Sequence, residues 1–418
     1  MGKTIIESIF STHSKNEVKP GNIVWIDLDI RSARDFGGAN VVQNLHKYYP
    51  EEQKVGDPKK TFFTFDCYPQ APSVKDAINQ QICRDFAQEL GIKVYDMDSG
   101  IGTHVMIEQG LAIPNRTIVG TDSHLNLLGA VGAFGQGMGD KDIAFAFKSG
   151  KTWFEVPETM KITFKGKLPK QCTAKDLTLA VLRKIGSKGA LGRAMEFYGE
   201  AIDQLDLAGR ITLSSMVTEM GGIIGFCPPN QKVINFCQKR SGNVDIQPLY
   251  ADTDASYTQT VEIDITNLKP LIACPPNPAI VHEIEEIAKK DITVGSVFIG
   301  SCTNGRYEDI KMAAEILRGH KVADGVRMKI VPATREVYGK MLKNGLVELF
   351  FEAGAMVQSP GCGGCAQGQV GMTGEGEVQI STGNRNFPGK QGAGQTYLAS
   401  PVTAAACAVA GKITVANL

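Results

Sequence analysis

The chain has 418 residues, which exceeds the usual size of a single hydrophobic core and indicates two to four domains. Its 44 basic and 44 acidic residues cancel, which disfavours nucleic acid as the main partner. Ten cysteines in so long a chain are not a disulfide framework and are typical of a reducing cytosol. Because no apolar run could span a bilayer and no signal-peptide core is evident, we expect a cytoplasmic protein without a membrane partner.

The first 156 residues are predicted to alternate strands with helices. Predicted strands cover residues 22–29, 61–66, 92–95 and 117–120, and predicted helices cover 4–16, 73–90 and a segment that ends near residue 48. Polar residues cluster where these strands end, namely at Asp66, at His104 and along residues 121–124. This pattern is typical of a parallel α/β domain whose functional site lies at the carboxyl edge of the sheet.

A glycine-rich run follows at residues 129–139. Such a run can bind phosphate through its backbone N–H groups, but no Gly-Lys-Ser/Thr follows and the dinucleotide-binding fingerprint is absent. We therefore predict that these glycines allow close packing of the backbone and do not form a phosphate site.

Residues 157–418 continue the alternation. Predicted helices cover residues 174–186, 190–204, 307–318 and 335–347, and predicted strands cover 160–166, 261–265, 296–300, 326–331 and 354–357. Residues 226–260 are predicted to be rich in loops, and prolines between residues 270 and 278 mark a linker. We predict three α/β domains, at residues 1–156, 157–268 and 269–418.

Three cysteines in glycine-rich surroundings are candidate metal ligands. Two glycines separate Cys362 from Cys365, and Cys302 lies 60 residues before Cys362. Cysteine thiolates select zinc or an iron–sulfur cluster. The neighbouring glycines would let the backbone approach a bulky inorganic core and donate N–H groups to it.

Four sequence motifs occur in a fixed order along the chain. They are Gly120-Thr121-Asp122-Ser123-His124, Gly300-Ser301-Cys302-Thr303-Asn304-Gly305, Pro360-Gly361-Cys362 with Cys365, and Ile380-Ser381-Thr382-Gly383-Asn384-Arg385-Asn386-Phe387. This set resembles the aconitase superfamily, in particular the large subunit of its two-chain isopropylmalate isomerase and homoaconitase type. The resemblance runs nearly end to end. It implies three α/β/α domains around a central cleft that holds an iron–sulfur cluster, with the swivel domain absent.

The resemblance implies that Cys302, Cys362 and Cys365 hold three irons of one 4Fe–4S cluster per subunit. The fourth iron would act as a Lewis acid on the substrate, because hydroxide is a poor leaving group unless it is coordinated. The implied reaction is dehydration and rehydration of a small 2-hydroxy di- or tricarboxylic acid such as 3-isopropylmalate or homoaconitate. A structural zinc site with three cysteines and a histidine is the alternative, but residues 384–386 would have no role in it.

Catalytic roles follow from the same resemblance. His104 and Asp122 correspond to a bonded pair in which the carboxylate fixes the imidazole tautomer and raises its basicity. We expect His124 near the substrate hydroxyl and Glu196 at the leaving water. Asp66, at a predicted strand end, is also expected to be catalytic.

Substrate binding is expected from Ser123, Asn384 and Arg385. Asn384 and Arg385 match family residues that bond the cluster or a substrate carboxylate, for which a planar guanidinium is suited. Lys390 stands where the family has an arginine that clamps a carboxylate. A lysine can pair with the same anion, but not through two parallel hydrogen bonds.

Three further positions depart from the family pattern. Cys67 replaces a histidine that is thought to protonate the departing hydroxyl, and a thiol, with a pKa of about 8.5, is a poorer acid. Arg34 stands where the family has histidine or glutamine, and Leu125 replaces a threonine. We therefore expect either an ordinary isomerase or a divergent hydratase for another malate-type acid, such as 2,3-dimethylmalate or methylmalate, with Arg34 and Cys67 binding the substrate.

The missing swivel domain implies a partner chain. In single-chain aconitases that domain supplies the serine that removes the carbon-bound proton and arginines that grip the distal carboxylate. We expect a small swivel-domain subunit, in a heterodimer or heterotetramer, and an inactive large chain without it. Two other classes are an iron sensor that binds RNA, which the neutral charge disfavours, and an electron carrier, which the nearby His, Asp and Arg residues disfavour.

Overall fold

The computed structural model describes residues 2–52, 54–365 and 369–416. The strands are β1 Ile23–Asp27, β2 Ile30–Arg34, β3 Thr61–Thr64, β4 Lys93–Tyr95, β5 Thr117–Gly120, β6 Phe134–Gly137, β7 Lys151–Glu155, β8 Thr159–Lys165, β9 Ala194–Tyr198, β10 Ile224–Phe226, β11 Gln259–Asp264, β12 Leu271–Ala273, β13 Val281–Glu283, β14 Ser296–Ile299, β15 Arg327–Ile330, β16 Met356–Val357, β17 Val378–Ser381 and β18 Gln395–Leu398.

The α-helices are α1 Ile5–His13, α2 Asp35–Tyr48, α3 Val74–Leu90, α4 Gly102–Glu108, α5 Asp140–Ser149, α6 Ala174–Ile185, α7 Glu200–Gln204, α8 Leu207–Ser215, α9 Gln231–Ser241, α10 Ile284–Ala288, α11 Ser301–Asn304, α12 Tyr307–Leu317, α13 Arg335–Lys343, α14 Leu346–Ala353 and α15 Pro401–Ala410. Short 3-10 helices cover Pro58–Lys60, Leu125–Val131, Met216–Met220 and Gly363–Cys365. In the described part of the chain, no helix has both the length and the apolar character needed to cross a membrane.

The five-stranded sheet β4-β3-β2-β5-β6 is parallel throughout. Strands β3 and β5 are buried along their whole length, as expected for a parallel sheet covered on both faces. Because parallel strands share one carboxyl edge, the end of β2 and the loops after β3 and β5 bring Arg34, Asp66 and Asp122 together. The helix predicted at residues 73–90 and the strand predicted at 117–120 are confirmed as α3 and β5.

The four-stranded sheet β10-β9-β8-β11 is also parallel. The helix predicted at residues 190–204 is wrong, because Ala194–Tyr198 forms strand β9, which pairs with a neighbour on both edges. A short apolar run cannot be assigned to a strand or a helix from its periodicity alone. The predicted loop region 226–260 contains helix α9, whose first turn is capped by the Asn230 side chain accepting from the Val233 N–H at 3.1 Å.

The seven-stranded sheet has the order β13-β12-β18-β17-β14-β15-β16. Strands β18, β17, β14, β15 and β16 run parallel, and β12 pairs antiparallel with β13 and β18. The single helix predicted at residues 335–347 is instead two helices, α13 and α14, separated by Gly345 in the left-handed conformation at φ +70°. Strands β14, β16 and β17 lead into the loops that carry Cys302, Cys362 and Asn384.

The glycine-rich run at residues 129–139 packs closely against neighbouring backbone. A Cβ atom at Gly129 would lie 2.1 Å from the Gly225 carbonyl oxygen, and one at Gly135 would lie 2.2 Å from that of Leu125. Distances this short exclude any side chain, so the prediction of close backbone packing is confirmed. The three larger sheets draw their strands from residues 30–137, 159–264 and 271–398, while the domain boundaries themselves stay a prediction.

Candidate active site

A cavity of about 370 Å³ lies where the carboxyl edge of the five-stranded sheet faces the loops that follow β14, β16 and β17. Its lining combines thiols, a carboxylate, a histidine and cations, among them Arg34, Cys67, Asp122, Ser123, His124, Cys302, Cys362, Cys365, Arg385 and Lys390. The structure therefore brings most of the predicted site residues to one place. Leu125 does not belong to this lining and packs, 1% exposed, in the apolar core.

The three predicted cysteine ligands are positioned by unusual backbone. Cys302 follows Ser301, a non-glycine residue in the left-handed region at φ +70°. Cys362 and Cys365 flank a turn in which Gly363 has φ +55°, and a Cβ there would lie 2.8 Å from the Phe298 ring. Only glycine fits this turn, which presents both thiols to the cavity.

Asn384 connects two of the thiols. Its amide Nδ2 donates to the Cys302 sulfur at 3.4 Å, and the Cys365 thiol donates to its Oδ1 at 3.2 Å. Lys175 holds the backbone before Asn384 in place, because its side-chain nitrogen donates to the carbonyl oxygens of Thr382 at 2.9 Å and Gly383 at 2.6 Å. Burial lowers the pKa of Lys175 to about 7. No feature of the sequence distinguishes Lys175, which lies in an ordinary amphipathic helix pattern.

The donor set fits a thiophilic metal or an iron–sulfur cluster. All ten cysteines are free thiols, and Cys302 and Cys362 are buried. Burial raises the pKa of the Cys302 thiol well above its usual value and also raises the pKa of Cys365. Buried thiols of this kind become thiolates when a metal cation binds them. The close-packed turn, the amide of Asn384 and three soft donors therefore suit an inorganic centre.

Arg34 organises the opposite side of the cavity. Its Nε donates to Asp66 Oδ1 at 2.6 Å, one Nη donates to Asp122 Oδ1 at 3.0 Å, and the other Nη donates to the Cys362 sulfur. Burial disfavours the charge of Arg34, but Asp122 and Asp66 outweigh it and raise the pKa of the guanidinium well above its usual value. Arg34 thus stays charged and already has three protein partners.

Asp66 and Cys67 lie beside Arg34. The Asp66 carboxylate also accepts the Gly102 N–H at 2.7 Å, and burial raises the pKa of Asp66 to about 7. The pKa of the Cys67 thiol is raised well above its usual value, mainly by a hydrogen bond to Cys362 and secondly by burial. The carboxylate of Asp66 and the sulfurs of Cys67 and Cys362 all lie within 4.8 Å of one another.

The predicted hydrogen bond between His104 and Asp122 is absent. His104 Nε2 lies 2.9 Å from the Cys302 carbonyl oxygen, and its Nδ1 has no hydrogen-bond partner among the described residues. Asp122 Oδ1 instead accepts from Arg34 and from the backbone N–H of His124 at 2.9 Å. The physical reason is competition, since a guanidinium binds a carboxylate more strongly than a neutral imidazole does. Burial lowers the pKa of His104 to about 3, so the ring is neutral.

His124 is part of a chain of hydrogen bonds that includes a glutamate absent from the predictions. His124 Nε2 lies 3.0 Å from Glu219 Oε1, which also accepts from Arg385 Nε at 2.9 Å, and His124 Nδ1 lies 3.2 Å from Ser123 Oγ. Burial disfavours the Glu219 carboxylate, but His124 and Arg385 outweigh it and lower its pKa. Burial also lowers the pKa of His124, so a neutral imidazole donates from Nε2 to a carboxylate.

The prediction that Glu196 lies at the site is wrong. Glu196 is in β9, accepts from the Ile5 N–H at 2.7 Å and from the hydroxyls of Tyr198 at 2.6 Å and Tyr257 at 2.7 Å, and does not line the cavity. It holds the first turn of α1 in place. A signal for Glu219 was present in the sequence, because Glu219 is the only charged residue in the apolar stretch 211–231.

Comparisons with known proteins find relatives that cover nearly the whole chain. Residues 7–411 match the model of the aconitase family (aconitate hydratase). The chain is 42% identical over 417 residues to 3-isopropylmalate dehydratase large subunit 1 of Methanopyrus kandleri, with 99% of each chain covered. It is 42% identical over 418 residues to the probable 3-isopropylmalate dehydratase large subunit of Methanothermobacter thermautotrophicus, again with 99% of each covered. Aconitase X of Thermococcus kodakaraensis in its holo-form shares the fold, with a TM-score of 0.52 at 14% identity over 85% of this chain and 83% of that one.

Proposed function

Because the chain belongs to the aconitase family, and is therefore a hydro-lyase, we propose that it is the large subunit of a two-chain enzyme that dehydrates and rehydrates 3-isopropylmalate. The observation that carries this proposal is the 42% identity, over 99% of both chains, to a 3-isopropylmalate dehydratase large subunit. The cavity supports it, since the cations Arg385 and Lys390 line the same space of about 370 Å³ as the thiols.

An iron–sulfur cluster at the three cysteines belongs to the proposal. Cys302, Cys362 and Cys365 would hold it, and Asn384 would donate its amide N–H to sulfur. When bound, the cluster supplies a Lewis acid for the hydroxyl group that leaves the substrate. Every other role falls to side chains of this chain and of its partner.

The substrate carboxylates are assigned to Arg385 and Lys390. Arg385 uses Nε to bind Glu219, which leaves its terminal N–H groups for an anion in the cavity. Lys390 offers a second cation, without the parallel pair of bonds that a guanidinium forms. Arg34 is less suited to this role because Asp66, Asp122 and Cys362 already occupy three of its donors.

Proton handling is assigned to His124 with Glu219. The Glu219 carboxylate accepts from Nε2, which fixes the imidazole tautomer and leaves Nδ1 as the acceptor beside the Ser123 hydroxyl. A proton that arrives at Nδ1 would be stabilised by the negative charge of Glu219. His104 offers a second unprotonated nitrogen at its unpartnered Nδ1.

The test is to assemble the enzyme from its two chains. The large chain is reconstituted with iron and sulfide without oxygen, mixed with the small subunit expected from the words "large subunit" in the names of its relatives, and assayed with 3-isopropylmalate, homoaconitate, 2,3-dimethylmalate and methylmalate. We expect turnover of 3-isopropylmalate by the mixture and none by the large chain alone. Turnover confined to another malate-type acid would overturn the substrate assignment, and activity of the single chain would overturn the partner. A cytoplasmic location stays a prediction.

A further inference from the structure

We propose that two copies of this chain associate, about a two-fold axis, through the exposed face of the ribbon that β1 (Ile23–Asp27) and β7 (Lys151–Glu155) form. The inference goes beyond the proposed function and depends on neither a cluster nor a substrate. It assigns a role to two strands that belong to none of the three larger sheets.

The exposed face of the ribbon is apolar at its centre. The chain has two tryptophans, Trp25 in β1 and Trp153 in β7, and they are 45% and 53% exposed. They lie directly opposite each other on the two strands, and Ile23, on the same face, is 66% exposed. Tryptophan is highly buried on average, so two neighbouring exposed tryptophans indicate a surface that a partner covers.

The backbone holds the two tryptophans side by side. The Leu28 N–H donates to the Gly150 carbonyl oxygen at 2.9 Å at one end of the ribbon. Because hydrogen-bonded pairs alternate along an antiparallel ladder, Trp25 and Trp153 form a non-hydrogen-bonded pair, the type whose side chains lie closest. The Trp25 ring also packs against Phe145, with 6.0 Å between the ring centroids. A side chain that is already ordered loses little entropy when a partner binds.

The charges around this apolar centre suit a second copy of the same face. Asp27 lies opposite Lys151 at one end of the ribbon, Ile23 lies opposite Glu155 at the other, and all four are exposed. A two-fold axis along the strands would set Asp27 of one copy against Lys151 of the other. An axis across the strands would set Lys151 against Glu155. The tryptophans would meet in both arrangements, and like charges would face each other in neither.

The ribbon lies at the edge of the five-stranded sheet that is opposite the cavity. The Asp29 N–H, between β1 and β2, donates at 2.9 Å to the carbonyl oxygen of Thr117, the first residue of β5. The ribbon therefore lies beside the amino ends of strands whose carboxyl ends face the cavity. A small subunit that completes the cavity would contact the other edge, so a second copy on the ribbon would leave both cavities accessible.

The mass of the full-length chain in solution tests this proposal. Sedimentation and light scattering are measured with and without the small subunit at up to about 0.1 mM chain, where an interface with a Kd of about 1 µM is nearly saturated. We expect two copies of the large chain in both cases. Trp153→Thr removes an aromatic anchor, and Lys151→Glu sets like charges against Asp27 or Glu155. Each should weaken association at least about tenfold.

Two matched controls change the same kinds of side chain outside the ribbon. Phe351→Ala removes an aromatic ring of α14 that is 80% exposed, and Lys141→Glu reverses an exposed charge near the start of α5. Both controls should associate like the wild type. Association that the controls weaken as much as Trp153→Thr and Lys151→Glu do would overturn the proposal.

The wild type alone gives a second reading that does not depend on the folding of any variant. Both tryptophans of the chain lie in the proposed interface, so their emission should move to longer wavelength as dilution halves the mass. An unchanged emission across that dilution, or the mass of one chain at every concentration, would overturn the proposal. Trp153→Thr that keeps the mass of two copies but no longer binds the small subunit would also overturn it, because that subunit would then be the partner on the ribbon.

Discussion

The two sides of the cavity are built by different means. On the cysteine side, backbone conformation at Ser301 and Gly363 sets the thiols, and the ligands come from the loops of a single sheet. On the opposite side, ion pairs position the side chains, because Arg34 binds Asp66 and Asp122, which follow separate strands. Substitutions on the first side should therefore remove function with little loss of stability, and substitutions on the second should reduce both.

The largest functional effect is expected from Cys302→Ala. Removing one of three soft ligands should lower metal affinity by more than about a hundredfold, since even outer-shell partners are worth about 10- to 100-fold. Iron content and 3-isopropylmalate turnover of the proposed two-chain enzyme measure this, and both should fall below detection. Cys407→Ala, a buried thiol in α15, is the control and should keep both. Normal iron content in Cys302→Ala would mean that the cysteine side is not the metal site.

Arg34→Met should cause the largest loss of stability. It leaves two buried carboxylates, Asp66 and Asp122, without their cation, and breaking a buried ion pair costs about 3–5 kcal/mol. Denaturant unfolding of the metal-free chain measures the change. The pair of Arg193 with Glu158, which lies at the surface with side chains 35% and 55% exposed, is the matched control, and Arg193→Met should cost less than about 1 kcal/mol. Equal losses in the two variants would contradict the view that charge builds this side.

Glu219→Gln should separate catalysis from stability. The amide cannot stabilise a protonated His124, so kcat should fall about a hundredfold, within the range for general acid–base groups. The pH profile of kcat should change as well, because the carboxylate that raises the pKa of His124 is gone. Glu196→Gln is the control, since its three partners lie outside the cavity, and it should leave kcat unchanged. A larger loss of kcat in Glu196→Gln than in Glu219→Gln would support the prediction from the sequence that Glu196 is the catalytic glutamate.

The smallest effect is expected from Lys175→Met, and it depends on pH. Burial depresses the pKa of Lys175 from its usual 10.5 to about 7, so between these values the unfolded chain binds the proton and the folded chain does not. The free energy of unfolding of the wild type should therefore rise relative to Lys175→Met as pH increases from 7 to 10, by about 1–3 kcal/mol. Urea unfolding at several pH values measures the difference. A difference that shrinks with rising pH would show that the ammonium is charged and stabilising.

Local signals in the sequence were sufficient for some parts of this molecule. The amphipathic pattern of α3 and the apolar run of β5 predicted those elements closely, and the spacing of Cys362 and Cys365 predicted two thiols facing one place. Strand β9 was missed because its identity depends on pairing with β8 and β10 on both edges. Pairings between distant segments leave no trace in a local pattern.

The same limit applies within the site. The identity of residues that bind through their own chemistry, such as Cys302, was accessible from the motifs. The motifs did not reveal the hydrogen-bond partners of these residues, because Arg34 reaches Asp122 across 88 positions of the chain and displaces the expected contact with His104. Glu219 stands out in the sequence as a lone charge in an apolar stretch, but its role does not, since its neighbours His124 and Arg385 approach it only in the folded chain.

The single backbone hydrogen bond from the Cys362 N–H to the Asp66 carbonyl oxygen has a consequence for biosynthesis. Cys302, Cys362, Cys365 and Asn384 belong to the last part of the chain to leave the ribosome, whereas Asp66 belongs to the first. A cluster that the three cysteines took up before this bond forms would therefore enter a site whose wall is still open. The bond forms only after residue 362 has been synthesised, as do the bonds from the Ile101 N–H to the Ala333 carbonyl oxygen and from the Arg335 N–H to the Ser99 carbonyl oxygen after residues 333 and 335.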